Sequence, residues 1–120
     1  MAKTVLVVDD EPDVRTSVVQ VVEMSGYKVI EAENGIECLK KLHHVKPDLL
    51  LLDIMMPGMS GWDVAAKLRE NPSWGKIPIV FLTAKGDDMS VGMGKATSLE
   101  YITKPFDVLE LKQCIEKILK

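Results

Sequence analysis

Three short apolar runs of this chain lead into ionisable residues. Asp9 and Asp10 follow the first run, Asp53 follows the third, and Lys104 follows the last. In an open parallel α/β sheet, the carboxyl ends of the strands lie at one edge, where ligands bind. We therefore expect a cluster of carboxylates with one lysine beside it. Such a set suits a hard cation and a phosphoryl group.

The chemistry of this expected cluster follows from its charges. Three carboxylates held close together repel one another, and a divalent cation removes that cost. Mg²⁺ keeps several waters, so one or two carboxylates and a main-chain carbonyl from residues 54–58 would suffice. A carboxylate such as Asp53 can also attack phosphorus and form an acyl phosphate. Lys104 can then pair with a phosphoryl oxygen, and Thr83 offers a hydroxyl at the end of the fourth strand.

The elements that must position these residues alternate regularly along the chain. Near-continuous runs of Val, Leu and Ile fit strands that are covered on both faces. Five such runs alternate with five helical patterns, which predicts a single-domain α/β fold with a doubly wound parallel sheet. The predicted strands are Thr4–Val8, Lys28–Glu31, Leu49–Leu52, Ile77–Leu82 and Tyr101–Thr103.

Capping and turn residues indicate the helix limits. The first helix begins near Pro12, a favoured first helical position, and Gly26 ends it. Capping-box spacing is found at two helix starts, Ser60 with Asp63 and Asp107 with Glu110. The remaining helices are predicted over Gly35–His44, Ser60–Glu70, Asp88–Thr97 and from Asp107 onward. In the helix over Gly35–His44, the residues Ile36, Leu39 and Leu42 should face the core.

Composition and charge narrow the function classes. The chain has 120 residues, of which 47% are hydrophobic and 28% charged, which fits one globular domain over residues 1–120. A net charge of -3 gives no signal for nucleic acid or an anionic membrane. The sequence shows neither a signal peptide nor a membrane-length apolar run, so a cytoplasmic location is expected. Cys38 and Cys114 lack metal-ligand spacing and are interpreted as reduced thiols.

The motifs together resemble the receiver domain of bacterial and archaeal two-component response regulators, over the whole chain. The resemblance rests on three strings, the segments 7–12, 51–58 and 103–106. It implies a flavodoxin-like (βα)5 fold with strand order 2-1-3-4-5. It also implies a phosphoacceptor regulatory domain rather than an enzyme. Its phosphoryl donor would be a sensor histidine kinase or phosphotransfer protein. Its downstream protein target would bind the face formed by the fourth helix, fifth strand and fifth helix. A stand-alone monomer without direct nucleic-acid or membrane contact is expected.

The resemblance also implies roles for single residues. Asp53 matches the phosphoacceptor, Asp10 the direct Mg²⁺ ligand, and Asp9 the acid that acts through a metal-bound water. Met55 would lend its main-chain carbonyl to the metal. Thr83 matches the hydroxyl that moves to the phosphoryl group, and Tyr101 matches the aromatic that swings inward on activation. Lys104 matches the family's lysine, and the peptide bond that joins it to the following Pro105 is often cis in the family.

Two further positions flank the path by which water attacks the acyl phosphate in receivers. Here they are Met55, which offers no strong hydrogen bond, and Lys85, which can only donate. Both residues should slow hydrolysis of the phosphoryl group. Residues 97–100 depart from the Gly-Ala-Asp-Asp pattern common in the family, on the surface expected to carry output.

Three other classes compete with this interpretation. A haloacid dehalogenase type phosphatase needs a second Asp two residues after the nucleophile, where this chain has Met55. A flavin binder needs a phosphate-holding loop after the first strand, but Asp9, Asp10 and Glu11 repel phosphate unless a metal intervenes. A phosphorylation-independent pseudo-receiver is the third alternative, although every position that chemistry requires is intact.

Overall fold

The structure is a computed structural model that describes residues 2–84 and 100–119. Helices and strands follow one another within these ranges as the sequence predicts. The predicted helix at 88–97 lies outside the described residues, so α4 below is the fifth predicted helix. The elements are β1 (Thr4–Val8), α1 (Pro12–Met24), β2 (Lys28–Ala32), α2 (Gly35–Leu42), β3 (Leu49–Asp53), α3 (Gly61–Glu70), β4 (Ile79–Ala84), β5 (Glu100–Lys104) and α4 (Val108–Leu119).

The five strands form one sheet in the order β2-β1-β3-β4-β5, with every neighbouring pair parallel. This confirms the strand order implied by the receiver resemblance. β3 lies at the centre of the sheet, and all five of its residues are buried. Its unbroken leucine run, Leu49–Leu52, reflects this position, because a central parallel strand is covered on both faces.

Each face of the sheet has its own hydrophobic core. Cys38 and Leu42 of α2 and Val64 of α3 pack on one face. Val18 of α1 and Leu111 of α4 pack on the other. Alternate strand residues divide between these cores, with Leu6, Val8, Leu50, Leu52 and Phe81 in the first and Val5, Val7, Leu49, Leu51, Val80 and Leu82 in the second. The predicted doubly wound architecture is therefore confirmed.

The predicted core face of α2 is partly wrong. Ile36 is 60% exposed, whereas Cys38 is completely buried. The helix begins after the Asn34 cap, whose side chain accepts a hydrogen bond from the Glu37 amide. From that start, Gly35, Cys38 and Leu42 share the inward face at the helical spacing.

Several element limits also differ from prediction, and the hydrogen bonds explain two of them. α2 ends at Leu42, because the amides of His43 and His44 bond to carbonyls three residues back, in a turn rather than a continued α-helix. β4 begins at Ile79 instead of Ile77. The Ile77 amide donates to the Trp74 carbonyl, and Pro78 has no amide to offer the sheet.

Both predicted helix starts are capped. Ser60 and Asp63 form the reciprocal capping box at α3. The Asp107 carboxylate accepts hydrogen bonds from the amides of Leu109 and Glu110 at the start of α4. None of the helices in the described ranges has the length and apolar character needed to cross a membrane.

Candidate functional site

The strand register brings the predicted site residues to one edge of the sheet. Val8 of β1 lies opposite Leu52 of β3, so Asp9 and Asp53 follow at the same level. Asp53 in turn pairs with Leu82 of β4. Lys104 ends β5, on the edge of the sheet beside β4. The carboxyl ends of three strands therefore carry the acids and the lysine together.

Asp9, Asp10 and Asp53 form a tight carboxylate cluster. One carboxylate oxygen from each lies within 4.8 Å of the others. Asp9 has no solvent exposure and Asp53 only 3%, while Asp10 is half-buried. The three acids predicted to hold a metal are thus brought together at the rim.

Lys104 is the cation of this cluster. Its Nζ atom lies 2.8 Å from Asp9 Oδ2 and 3.2 Å from Asp53 Oδ1. A third carboxylate, that of Glu11, lies 3.6 Å away at the exposed side of the site. The Lys104 side chain is only 13% exposed, so these pairs are poorly screened by solvent.

The ionisation of the site reflects its burial. The pKa of Asp53 is raised to about 7, mainly by burial and also by the charge of Asp9, against the lowering effect of Lys104. Burial alone would lower the pKa of Lys104, but its contacts with Asp9 and Asp53 outweigh that effect and raise it. The site therefore holds Lys104 charged, whereas keeping Asp53 ionised at neutral pH is costly without more positive charge.

The donor set fits a hard divalent cation. Carboxylate oxygens are the ligands that Mg²⁺ prefers, and a second positive charge would relieve the repulsion that raises the pKa of Asp53. The Met55 side chain, predicted to flank the path of the attacking water, is 64% exposed. It follows Asp53 by two residues, in the loop between β3 and α3.

The loop after Asp53 is held by main-chain contacts. Gly58 has a φ of 77°, a conformation that favours glycine, and lets the chain turn back toward α3. The Gly61 amide then donates to the Ile54 carbonyl at 2.8 Å. A Cβ atom at Gly61 would lie 2.4 Å from the Asp53 carbonyl oxygen, so only glycine fits at this approach.

The predicted switch residues lie on neighbouring strands. Thr83 is buried on β4 opposite Thr103 of β5, and Tyr101 of β5 is opposite Phe81. The Tyr101 side chain is 52% exposed, so it lies outward in this structure. The Lys104–Pro105 peptide bond is cis, as the resemblance implied. Lys85, expected to influence hydrolysis, lies outside the described residues.

Sequence reasoning missed Arg15, which contacts the main chain of the site, and Glu31, which pairs with Arg15. Arg15 donates from Nη1 to the Asp9 carbonyl at 2.7 Å, and from Nε to Glu31 Oε1 at 3.1 Å. A signal was present, because Arg15 lies in the first turns of a helix, where the helix dipole disfavours a cation. An arginine at that position, six residues after Asp9, indicates a specific contact.

Comparison with known proteins gives a consistent family match. Residues 5–116 match the family described as the response regulator receiver domain. The phosphate regulon transcriptional regulatory protein PhoB of Pseudomonas aeruginosa is 40% identical over 121 residues, covering 100% of this chain and 53% of that protein. PhoP of Bacillus subtilis, the alkaline phosphatase synthesis transcriptional regulatory protein, is also 40% identical, with 100% and 50% covered. The chain spans about half the length of these curated relatives.

Solved structures show the same similarity. The chemotaxis protein CheY4 of Vibrio cholerae matches with a TM-score of 0.88 at 27% identity, covering 99% of this chain and 100% of that one. The response regulator TrrA of Thermotoga maritima, solved in complex with Mg²⁺-BeF, matches with a TM-score of 0.83 at 37% identity. That comparison covers 98% of this chain and 99% of the other.

Proposed function

Since the chain belongs to the response regulator receiver domain family, we propose that Asp53 accepts a phosphoryl group and so switches the domain on. The observation that carries this proposal is the buried contact of Lys104 with Asp9 and Asp53 at 2.8 and 3.2 Å. A lysine held there can neutralise charge on both the acceptor and an incoming phosphoryl group. Catalysis of phosphoryl transfer consists mostly of such positioning and neutralisation.

The transfer is a displacement at phosphorus. An Asp53 carboxylate oxygen attacks the phosphorus of a phosphohistidine, the new P–O bond forms and the P–N bond breaks. The bonding electron pair leaves with the imidazole nitrogen. Lys104 keeps the Asp53 carboxylate oriented and donates hydrogen bonds to a phosphoryl oxygen. The phosphoryl group later leaves by hydrolysis of the acyl phosphate, a reaction the domain promotes itself.

Asp9, Asp10 and Asp53 would hold Mg²⁺, together with the main-chain carbonyl of Met55. When bound, Mg²⁺ supplies positive charge that offsets the carboxylates and the phosphoryl oxygens. The raised pKa of Asp53 supports this assignment, because its cause is burial and the neighbouring charge of Asp9. The two transcriptional regulators and TrrA, with its Mg²⁺-BeF complex, support a phosphorylation-dependent role for the domain.

We infer two protein-binding surfaces. A groove of about 400 Å³ opens beside Lys104 between α1 and the segment after β5, lined by Asp13, Val14, Ser17, Lys104, Pro105, Phe106 and Val108. Its position and apolar lining suit the phosphoryl donor, a sensor histidine kinase or phosphotransfer protein. Exposed Tyr101 on β5, with Leu109 60% exposed on α4, suits a downstream protein target. We further propose that residues 1–120 form a single receiver domain. It acts as a monomer and does not bind nucleic acid directly.

Phosphorylation of Asp53 is tested with acetyl phosphate and Mg²⁺. Intact mass should rise by one phosphoryl group in the parent and stay unchanged in Asp53→Asn. Asp48→Asn is the matched control, since Asp48 precedes the same strand at its opposite end and accepts from the Thr4 amide. The control should label as the parent does. A label that persists in Asp53→Asn would overturn the assignment, and no label in the parent would favour a phosphorylation-independent interaction domain.

Metal binding is tested separately by titrating Mg²⁺ while Trp62 fluorescence or amide NMR shifts are followed. Trp62 lies in the first turn of α3, just after the loop that follows Asp53, and packs against Phe81, with ring centroids 4.7 Å apart. Asp10→Ala should bind Mg²⁺ much more weakly than the parent, because too few anionic ligands remain. Equal affinity in the variant would remove Asp10 from the metal site.

A further inference from the structure

Arg15 contacts the main chain of the carboxylate cluster rather than its side chains. It lies in α1, where its own amide bonds to the Glu11 carbonyl at 2.9 Å. Its side chain turns back toward the end of β1, with Nη1 2.7 Å from the Asp9 carbonyl oxygen. The side chain is only 17% exposed. Arg15 therefore holds the end of β1 through the main chain of Asp9.

The atom that Arg15 holds joins two of the three clustered acids. The Asp9 carbonyl belongs to the peptide plane that links Asp9 to Asp10, and that plane is rigid. On the other side of Asp9, its amide donates to the Ala32 carbonyl of β2 at 3.2 Å. Fixing both peptides determines where the two carboxylates leave the main chain.

Glu31 orients the guanidinium for this contact. Its carboxylate accepts a hydrogen bond from Arg15 Nε at 3.1 Å. Glu31 is the residue directly before Ala32. The Glu31 main chain is itself held, because the Lys41 ammonium donates to its carbonyl. A guanidinium offers several donors in a fixed plane and can serve both partners, whereas a lysine ammonium lacks that geometry.

We propose that Arg15, oriented by Glu31, is a positioning residue that holds the Asp9–Asp10 pair in the arrangement Mg²⁺ requires. The inference rests on the proposed function, since it names the support of that same metal site. Outer contacts that orient metal ligands typically change metal affinity by about 10- to 100-fold when removed. Arg15 thus adds a residue on α1 to a site whose other members all lie at strand ends.

The first test compares Mg²⁺ affinity in full chains of the parent, Arg15→Gln and Arg69→Gln. Arg69 is a matched control, because it also donates to main-chain carbonyls, those of Gly75 and Ile77, at the other end of the sheet. Mg²⁺ binding should weaken by at least about 10-fold in Arg15→Gln. It should remain at the parent value in Arg69→Gln, even where urea unfolding shows a loss of stability. Parent affinity in a folded Arg15→Gln, or an equal loss in the control, would overturn the inference.

Two further variants separate position from charge. Arg15→Lys keeps the positive charge but replaces two nitrogens fixed in one plane by a single ammonium, so its Mg²⁺ affinity should resemble that of Arg15→Gln. Parent affinity in Arg15→Lys would overturn the positioning role. Glu31→Ala should weaken binding less, and its effect should vanish in the Arg15→Gln background. Additive effects would remove Glu31 from the mechanism.

A metal-free readout completes the test. The Glu11 amide donates to Asp9 Oδ1 at 2.9 Å, so its hydrogen exchange reports the arrangement of that carboxylate. Without Mg²⁺, exchange at Glu11 should be faster in Arg15→Gln than in the parent and in Arg69→Gln. Unchanged exchange would contradict the positioning role. If the parent itself neither binds Mg²⁺ nor labels at Asp53, the proposed function fails instead, a result distinct from every outcome above.

Discussion

The Lys104 ammonium lies 2.8 Å from Oδ2 of Asp9, a residue with no solvent exposure. The same ammonium also contacts Asp53 at 3.2 Å, so one cation is shared by two buried acids. A buried charge that loses its partner is strongly destabilising. The contact therefore links the stability of the site to the phosphoryl transfer that we propose for it.

Replacing Lys104 by Met should impair the phosphoryl labelling of Asp53 more than it impairs the folding of the rest of the domain. The pKa of Asp53 should rise further, because the lowering effect of Lys104 is lost. Phosphorylation by acetyl phosphate should slow by about 10²-fold, the usual cost of removing one preorganised donor. Lys117→Met is the control, since Lys117 pairs with Glu100 on the exposed surface at 2.9 Å. Parent-like labelling in Lys104→Met would contradict the role of this lysine.

Stability of the metal-free protein should fall as pH rises from 5 to 8. The pKa of Asp53 is raised from its ordinary 3.8 to about 7, so the folded state holds this proton more tightly than the unfolded chain. The stabilisation is complete below pH 3.8 and is lost as pH rises through 7. Lys104 contacts this carboxyl, and the charge of Asp9 is one cause of its raised pKa.

Urea unfolding in EDTA at pH 5 and pH 8 measures this change. Asp53→Asn should lose less unfolding free energy between the two pH values than the parent does. Comparing the two proteins cancels the contribution of groups that titrate elsewhere. Mg²⁺ at many times its dissociation constant should restore stability at pH 8 by mass action. A loss of equal size in parent and variant would show that Asp53 does not cause it.

Activation should depend on the Thr83 hydroxyl. A ligand shifts a two-state equilibrium only by binding one state better, and a bond from Thr83 to a phosphoryl oxygen supplies that difference. Addition of Mg²⁺ and beryllofluoride should change amide exchange in β5, which carries Tyr101 next to β4. Thr83→Ala should blunt this change without preventing labelling of Asp53, whereas Thr83→Ser should retain it. Equal responses in parent and Thr83→Ala would exclude Thr83 from the switch.

The phosphoryl group should persist longer here than in fast-cycling receivers. Neither Met55 nor Lys85 can accept a proton from the attacking water. The double variant Met55→Asn, Lys85→Glu should lose the group about 5-fold faster, as one new hydrogen bond worth about 1 kcal/mol would allow. First-order loss of phosphoryl from purified protein measures this rate. Met24→Asn with Lys112→Glu, both exposed and distant from the site, should match the parent. An unchanged or slower rate in the first double variant would contradict the prediction.

Gly61→Ala should destabilise the site loop. The added Cβ would lie 2.4 Å from the Asp53 carbonyl oxygen and 2.8 Å from Ile54 Cα, so the main chain must shift. Overpacking of this kind costs about 1–3 kcal/mol and should also lower the labelling rate of Asp53. Gly75→Ala is the control, where the nearest atom would be 3.4 Å away. Chemical unfolding of both variants measures the stability cost, and labelling of both measures the rate at which Asp53 is phosphorylated.

Much of this architecture was predictable because it depends on local pattern. The leucine run of β3 indicated a strand covered on both faces, and Ser60 with Asp63 indicated a capped helix start. Asp9, Asp10 and Asp53 could be grouped in advance, since parallel strands end at one edge. The strand order itself came from family resemblance, because alternation alone does not determine which strands are neighbours.

The sequence by itself determined the strand and helix pattern, the acids at the strand ends and the family. Only the tertiary structure decided that Cys38 faces inward in place of Ile36, that Tyr101 lies outward, and that Lys104 contacts both acids. It alone revealed the contact between Arg15 and Glu31, sixteen positions apart. The physical reason is that periodicity reports which residues share one face of one element. Contacts between elements depend on register and helix phase, which result from the packing of the whole chain.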